Sequence, residues 1–109
     1  MKDLDRVIHE PARLQVVAVL SAVKEADFLY LARATGFTKG NLSSHLAKLE
    51  EAQYVAIEKT FRGKIPLTVI RLTDSGRGAF QDYRKKLDEL LRAPAQAKGK
   101  RLRQATQEG

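Results

Sequence analysis

From Leu4 to Val23 the chain is rich in apolar residues, and the interior of this segment, Leu14, Val16, Val17, Ala18, Val19 and Leu20, has hardly a polar side. Pro11 sits where a helix tolerates it, in the first turn of a helix beginning near Glu10. A helix that is apolar nearly all round needs burial on more than one side. One small domain offers little to cover it, so part of this helix, with Leu4, Val7 and Ile8 before it, is expected in a dimer interface. Asp27 then reads as the N-cap of a short helix from Phe28 to Ala34, closed at Thr35 and Gly36 because glycine accepts the left-handed turn that ends a helix. A short strand over Asp27 and Phe28 fits the same residues, and the pattern leaves both open. Phe37 points inward, and Thr38 caps a second helix running to about Ala52. Only three or four residues separate the two helices, which forces a steep crossing, the geometry of a helix-turn-helix.

Leu42, Leu46 and Leu49 of the second helix fall at i, i+4 and i+7 and form one buried stripe. The opposite face follows by subtraction: Gly40, Asn41, Ser44 and Lys48, with Ser43 and His45 on its flanks and Lys39 at the start. Its carboxylates, Glu50 and Glu51, lie only at the C-terminal end, whereas a solvated face more often interleaves Glu with Lys. The first three turns are small, hydrogen-bonding and acid-free, which suits a groove lined with phosphates. After Ala52 the period becomes two. Val55, Ile57 and Lys59 alternate with Ala56, Glu58 and Thr60; Phe61, Arg62, Gly63 and Lys64 read as a turn, and Ile65 to Leu72 as the returning strand of a β-hairpin. Pro66 cannot donate to a ladder, so it belongs at an edge or near the hairpin tip. Thr73 caps a last helix from Asp74 to about Arg92, with Ala79, Phe80, Tyr83, Leu87, Leu90 and Leu91 as its apolar positions. The pattern as a whole gives a mainly α fold with a small β-hairpin (α+β), paired with a second copy through its first and last helices.

Composition narrows the chemistry. The 109 residues allow one domain, and 20 Lys plus Arg against 13 Asp plus Glu leave a net charge of +7, which points to a polyanionic partner. Residues 1–92 carry +4 and form the expected folded domain, while residues 93–109 carry +3 and form a basic tail. There Pro94 and Gly99 are expected to break any continuing helix, and Lys98, Lys100, Arg101 and Arg103 are candidates for phosphate contact. With no cysteine, disulfide scaffolds, thiolate metal sites and thiol redox sensing are excluded. The longest apolar run, Val16 to Leu20, is far short of a membrane helix, and Met1-Lys2-Asp3 lacks the apolar segment of a signal peptide. A cytoplasmic protein without membrane contact is expected.

The run from Arg13 and Leu14 through Leu31, Ala32, Thr35, Gly36, Thr38 to Ser43, His45, Leu46, Leu49 and Glu50 to Tyr54 and Val55, then Leu72, Thr73, Gly76 and Arg77, resembles the small winged-helix transcriptional regulators. It is similar to their MarR and ArsR groups, and the segment from Gly36 to Val55 is the most specific part. The resemblance implies a homodimer on a pseudo-palindromic operator, probing double-stranded DNA with the second helix of the helix-turn-helix in the major groove and the hairpin, or wing, on flanking DNA. Carried over residue by residue, Thr38 and Lys39 meet phosphate at the helix N-terminus. Asn41, Ser43, Ser44, His45 and Lys48 reach base edges or nearby phosphates, and Arg62 and Lys64 serve the wing. Gln53 departs from the family, which usually has glycine there; it must adopt a left-handed backbone at some cost or change the helix end.

Other classes have less behind them. The two histidines, His9 and His45, are far apart in the pattern, and nothing builds a catalytic triad around either. Thr38-Lys39-Gly40-Asn41 lacks the glycine pattern and the Lys-Ser or Lys-Thr of a phosphate loop. Metal sensing has no cysteine and no closely spaced histidines to use. No cofactor is expected, and no effector is named by any residue pattern. The rival reading is a winged helix that binds protein or RNA instead of a DNA sequence; the acid-free face and the basic hairpin tip weigh against it.

Overall fold

The computed structural model describes the backbone of residues 4–108 and the side chains of residues 4–92. The elements follow in the order α1 (Pro11–Ser21), β1 (Ala26–Asp27), α2 (Phe28–Thr35), α3 (Lys39–Glu51), β2 (Val55–Arg62), β3 (Ile65–Leu72) and α4 (Asp74–Glu108). The caps lie where the chain chemistry puts them. Glu10, Asp27 and Thr38 each accept a first-turn backbone N–H, from Arg13, Tyr30 and Asn41, which satisfies donors a helix start leaves open. Gly36 closes α2 at φ 76°. A short strand does precede α2, but it lies one residue earlier than expected, as the two-residue β1 at Ala26–Asp27, and Phe28 already belongs to the helix.

The three strands form an antiparallel sheet in the order β1-β3-β2. One face of the hairpin turns its pairs Val55↔Leu72 and Ile57↔Ile70 to the helices, where Leu31, Leu42, Leu46 and Leu49 are buried with them. Each fully buried side chain of this kind is worth about 1.5–3 kcal/mol relative to exposure. The hairpin turn is tighter than its sequence suggests. Phe61 and Arg62 are paired strand residues, opposite Pro66 and Ile65, and only Gly63 and Lys64 form the loop. Gly63 takes φ 63° and Lys64 does not share the positive region, the arrangement of a two-residue II′ turn whose twist matches the strands. Pro66 is tolerated because β1 pairs β3 only at Val69 and Ile70, so no third strand calls on residue 66 for a donor.

Helix α1 is covered more completely than its composition suggests. Val16, Val17 and Leu20 are buried, Leu14 and Val19 are half-buried against the same core, and only Ala18 of the apolar run is exposed. The cover comes from the segment before it. Leu4 and Ile8 are buried in the core, held by Asp5 Oδ1, which accepts the N–H groups of Val7 and Ile8 at 2.8 and 3.1 Å, and by the Arg13 side chain, which donates to the Val7 carbonyl at 2.7 Å. The premise that one domain leaves α1 uncovered therefore does not hold.

The end of α3 departs from the family pattern and is built all the same. Gln53 takes φ 66°; its N–H donates to the Glu50 carbonyl, and the N–H of Tyr54 to that of Leu49. This is the Schellman arrangement, usually reserved for glycine. The expected break near Arg92 is not found: α4 runs on through Pro94 and Gly99 to Glu108. Pro94 forfeits one bond, to the carbonyl of residue 90, but strong helix formers flank it on both sides, among them Leu90, Leu91, Ala93, Ala95, Gln96 and Ala97. The side chains of Lys98, Lys100, Arg101 and Arg103 lie outside the described residues. No helix among the described residues is long and apolar enough to cross a membrane.

Candidate nucleic-acid interface

Burying Leu42, Leu46 and Leu49 fixes what α3 shows to solvent. Thr38, Lys39, Gly40, Asn41, Ser43, Ser44, Ala47 and Lys48 are all exposed, and His45 is half-buried. The predicted residues divide into two groups. Gly40, Ser44 and Lys48, with Asn41 at their margin, lie opposite the buried stripe at about 100° per residue. Lys39 and Ser43 lie on a flank that faces the hairpin: Ser43, Ala47 and Glu50 line a groove of about 560 Å³ with Ile57, Lys59 and Thr68. His45 sits on the other flank. Its ring leans on Phe37 at 6.1 Å between centroids, and its Nδ1 is enclosed with no partner among the described residues. Half of the imidazole's polar capacity is thus withdrawn from the surface.

A second groove, of about 400 Å³, joins the start of α3 to the wing. It is lined by Arg33, Lys39 and Arg62 together with Leu29, Ile65 and Pro66. Lys39 and Arg62 were expected in the interface, but Arg33 was not. The available signal was an exposed cation in the last turn of α2, four residues after Leu29. Ala47 was missed as well, because a methyl group carries no charge or hydrogen bond to mark it; on an exposed helix face it suits apolar contact such as a thymine methyl. Lys64 stands at the loop beside Gly63, away from both grooves.

Three cations away from α3 have carboxylate partners. On α4, Lys86 and Arg92 pair with Asp82 and Asp88 at 3.1 and 2.7 Å, and at the wing base Arg71 approaches Glu58 at 3.8 Å. Such exposed pairs add little stability, yet they cancel charge locally. Arg33, Lys39, Lys48, Lys59, Arg62 and Lys64 have no ion pair among the described residues. These six lie on α3, the end of α2 and the wing, where no carboxylate pairs with them, while Arg6, Lys24, Arg84 and Lys85 are cations without an ion pair elsewhere on the described fold.

The scaffold beneath is held by contacts of high precision. Thr73 caps α4 by accepting the Gly76 N–H at 2.9 Å while its hydroxyl donates to the Gln53 carbonyl at 2.7 Å. Its own N–H donates to the Tyr54 carbonyl at 3.0 Å. Gly76 is buried against that carbonyl, and a Cβ there would lie 2.8 Å from the Tyr54 carbonyl carbon and 2.9 Å from its Cα. The Tyr54 hydroxyl in turn donates to Asp5 Oδ2, and His9 Nδ1 shares a hydrogen bond with the Tyr83 hydroxyl at 2.8 Å. Hydrogen bonding to Asp5, then burial, then the Asp5 charge push the Tyr54 phenol up to about 12. The junction between α3 and the wing is thereby fastened to the segment before α1 and to the start of α4, which holds the angle between the helix and the ribbon.

This geometry, a capped helix whose outer face is acid-free over its first three turns, beside a cationic two-stranded ribbon, coincides with a match to known proteins. Residues 12–91 match the family model of the winged helix DNA-binding domain. The chain belongs to this family. Among curated proteins, the winged helix described above is 34% identical over 79 residues to the uncharacterized protein MJ0432 of Methanocaldococcus jannaschii, spanning 72% of this chain and 85% of that protein. The transcriptional regulator homologue protein from Pyrococcus horikoshii OT3 superposes with a TM-score of 0.76 at 26% identity, over 80% of this chain and 86% of that one. The homodimeric winged helix-turn-helix DNA-binding domain Mb0332 from Mycobacterium bovis superposes with a TM-score of 0.64 at 23% identity, over 79% and 76%, a likeness that shows the shared fold.

Proposed function

We propose that this winged helix is a cytoplasmic transcriptional regulator, a repressor without catalytic activity, that binds an operator as a homodimer. Helix α3 enters the major groove. Asn41, Ser44 and Lys48 face base edges and their phosphates, with Ala47 against thymine methyls, while Ser43 and His45 supply flanking contacts. Thr38 and Lys39, at the α3 N-terminus where backbone N–H groups and the helix dipole favour an anion, hold phosphate together with Arg33. Arg62 and Lys64 carry the wing along the flanking duplex. The observation that carries this reading is the placement of charge: six cations without an ion pair among the described residues lie on or beside a helix face whose first three turns carry no carboxylate.

The dimer has independent support in α4. Leu91 is 65% exposed, Leu87 and Leu90 are only half-buried, and Leu87 and Leu91 border one shallow surface groove. The Mycobacterium bovis neighbour is described as homodimeric. Pairing along α4 sets two copies of α3 at a fixed spacing, as a palindromic site requires.

Fluorescence anisotropy on labelled duplex DNA across 50–200 mM salt tests the reading, with an RNA duplex of the same sequence as control. Log affinity is expected to fall with log salt at a slope of about −0.9 per phosphate contacted, and the A-form RNA, whose deep groove does not admit a helix, binds far more weakly. Equal binding of RNA and DNA, or none, favours the interaction-module alternative.

A further inference from the structure

Phe61 and Ile65 are each 67% exposed, more than any other large apolar side chain among the described residues. They are not scattered, since they flank the Arg62-Gly63-Lys64 tip. Because β1 stops pairing at Asp27↔Val69, the ribbon from Lys59↔Thr68 to Arg62↔Ile65 stands clear of the third strand and projects by about 13 Å at roughly 3.3 Å per residue. In the pleat Phe61 and Pro66 share one face, with Lys59 and Thr68, while Arg62 and Ile65 share the other. A ribbon that only touched phosphates would need its cations and no exposed aromatic ring, and exposed apolar edges favour aggregation.

Charge identifies what covers this tip. No carboxylate lies between Glu58 and Asp74, and Glu58 is engaged with Arg71. A second copy docking its own tip would bring like charge to like charge. A surface both cationic and apolar instead fits a groove whose walls are phosphate and whose floor is stacked bases. The minor groove, about 6 Å wide, is too narrow for the body of a ribbon but admits side chains from its end.

We infer that the wing tip is an apolar wedge as well as a cationic clamp. Phe61 enters the minor groove next to the major-groove site and parts or leans on a base step, while Arg62 and Lys64 hold the phosphates on either side. Sequence preference then arises at flanking positions that no hydrogen bond reads, because pyrimidine–purine steps unstack most readily. The inference rests on the proposed DNA-binding function.

The test uses duplexes enriched by the full-length protein from a random pool, with 2-aminopurine replacing adenine at one flanking position at a time and a donor–acceptor dye pair on the ends. The wild type is expected to raise 2-aminopurine fluorescence at a flanking step and to shorten the end-to-end distance. Phe61→Ala is expected to weaken binding about tenfold and abolish both signals while leaving the salt slope unchanged, since no charge is removed. Arg62→Ala does the converse, lowering the slope by about one unit and keeping the fluorescence rise. If the wild type binds with no unstacking at any flank, or Phe61→Ala matches it in affinity and fluorescence, the wedge is wrong and the DNA-binding reading stands. If Phe61→Ala dissociates a dimer in sedimentation, the tip contacts a second copy instead. If no duplex is enriched at all, the DNA-binding reading itself fails.

Discussion

Replacing Gly76 by alanine tests the junction on which the interface is mounted. In the interior of a helix this change ordinarily stabilises by about 1 kcal/mol, because glycine has more backbone freedom to lose. At residue 76 the new Cβ would be driven into the Tyr54 carbonyl, 2.8 Å from its carbon and 2.9 Å from its Cα. The obstacle is backbone and cannot rotate away. Tyr54 donates its N–H to the Leu49 carbonyl at 2.9 Å, and its own carbonyl accepts the Thr73 N–H at 3.0 Å, so moving it disturbs the end of α3 and the start of α4 together. Overpacking of this kind costs about 1–3 kcal/mol or more. With two caps at stake and the propensity gain set against them, a net loss of about 2 kcal/mol is expected. Gly78 is the matched control, two residues along the same helix, exposed and with nothing within 4 Å of its would-be Cβ. Gly78→Ala should gain about 0.5–1 kcal/mol. Thermal melts at one fixed protein concentration should then move in opposite directions, down by about 10 °C for Gly76→Ala and up by about 4 °C for Gly78→Ala. A Gly76→Ala protein as stable as the wild type would refute the close approach.

Gln53→Gly removes the cost of a left-handed side-chain-bearing residue, about 1–2 kcal/mol, and restores unfolded-chain entropy; its urea midpoint should rise, by the equivalent of about 0.5–1 kcal/mol, without a change in DNA affinity. Tyr54 should ionise near 12, read as the difference in alkaline ultraviolet titration between the wild type and Tyr54→Phe, and Asp5→Asn should lower it toward 10. Because its folded pKa is raised, the stability it contributes is complete below pH 10 and is lost as the pH climbs through 12. Arg33→Ala should weaken binding to all duplexes alike and lower the salt slope by about one unit, whereas Asn41→Ala should relax base preference at one position by about 1–3 kcal/mol. An unaltered preference in the Asn41 variant would remove that residue from the base-reading set.

Local signals in the chain were easy to read. Pro11, Asp27, Gly36, Thr38 and Thr73 mark helix ends because capping is settled within three or four residues, and the Leu42-Leu46-Leu49 stripe assigns the face of α3 by periodicity alone. Contacts between distant residues left no such trace. Asp5 meets Tyr54 and His9 meets Tyr83 across 49 and 74 residues, so the cover over α1 was not visible and its apolar surface pointed too readily to a partner. The wing turn was placed too wide because Phe61 and Arg62 look like turn residues until their partners Pro66 and Ile65 are known. The continuation of α4 past Pro94 was hidden for a related reason, since breaker residues yield when strong helix formers surround them. Within the interface, the charged and hydrogen-bonding residues of α3 were legible by subtraction. Arg33 was not, since only the folding of the wing against α2 brings it beside Lys39 and Arg62.

The central claim, that two copies of this winged helix read duplex DNA with α3, is tested most directly by selecting bound fragments from a random duplex pool and footprinting the winners. The account predicts an inverted repeat whose half-sites lie about one helical turn, 10–10.5 base pairs, or a multiple of it apart, with major-groove protection at the centre of each half-site that is lost in a Ser44→Glu, Lys48→Glu variant. A pool that converges on no shared sequence, or a footprint that the variant leaves unchanged, would contradict it.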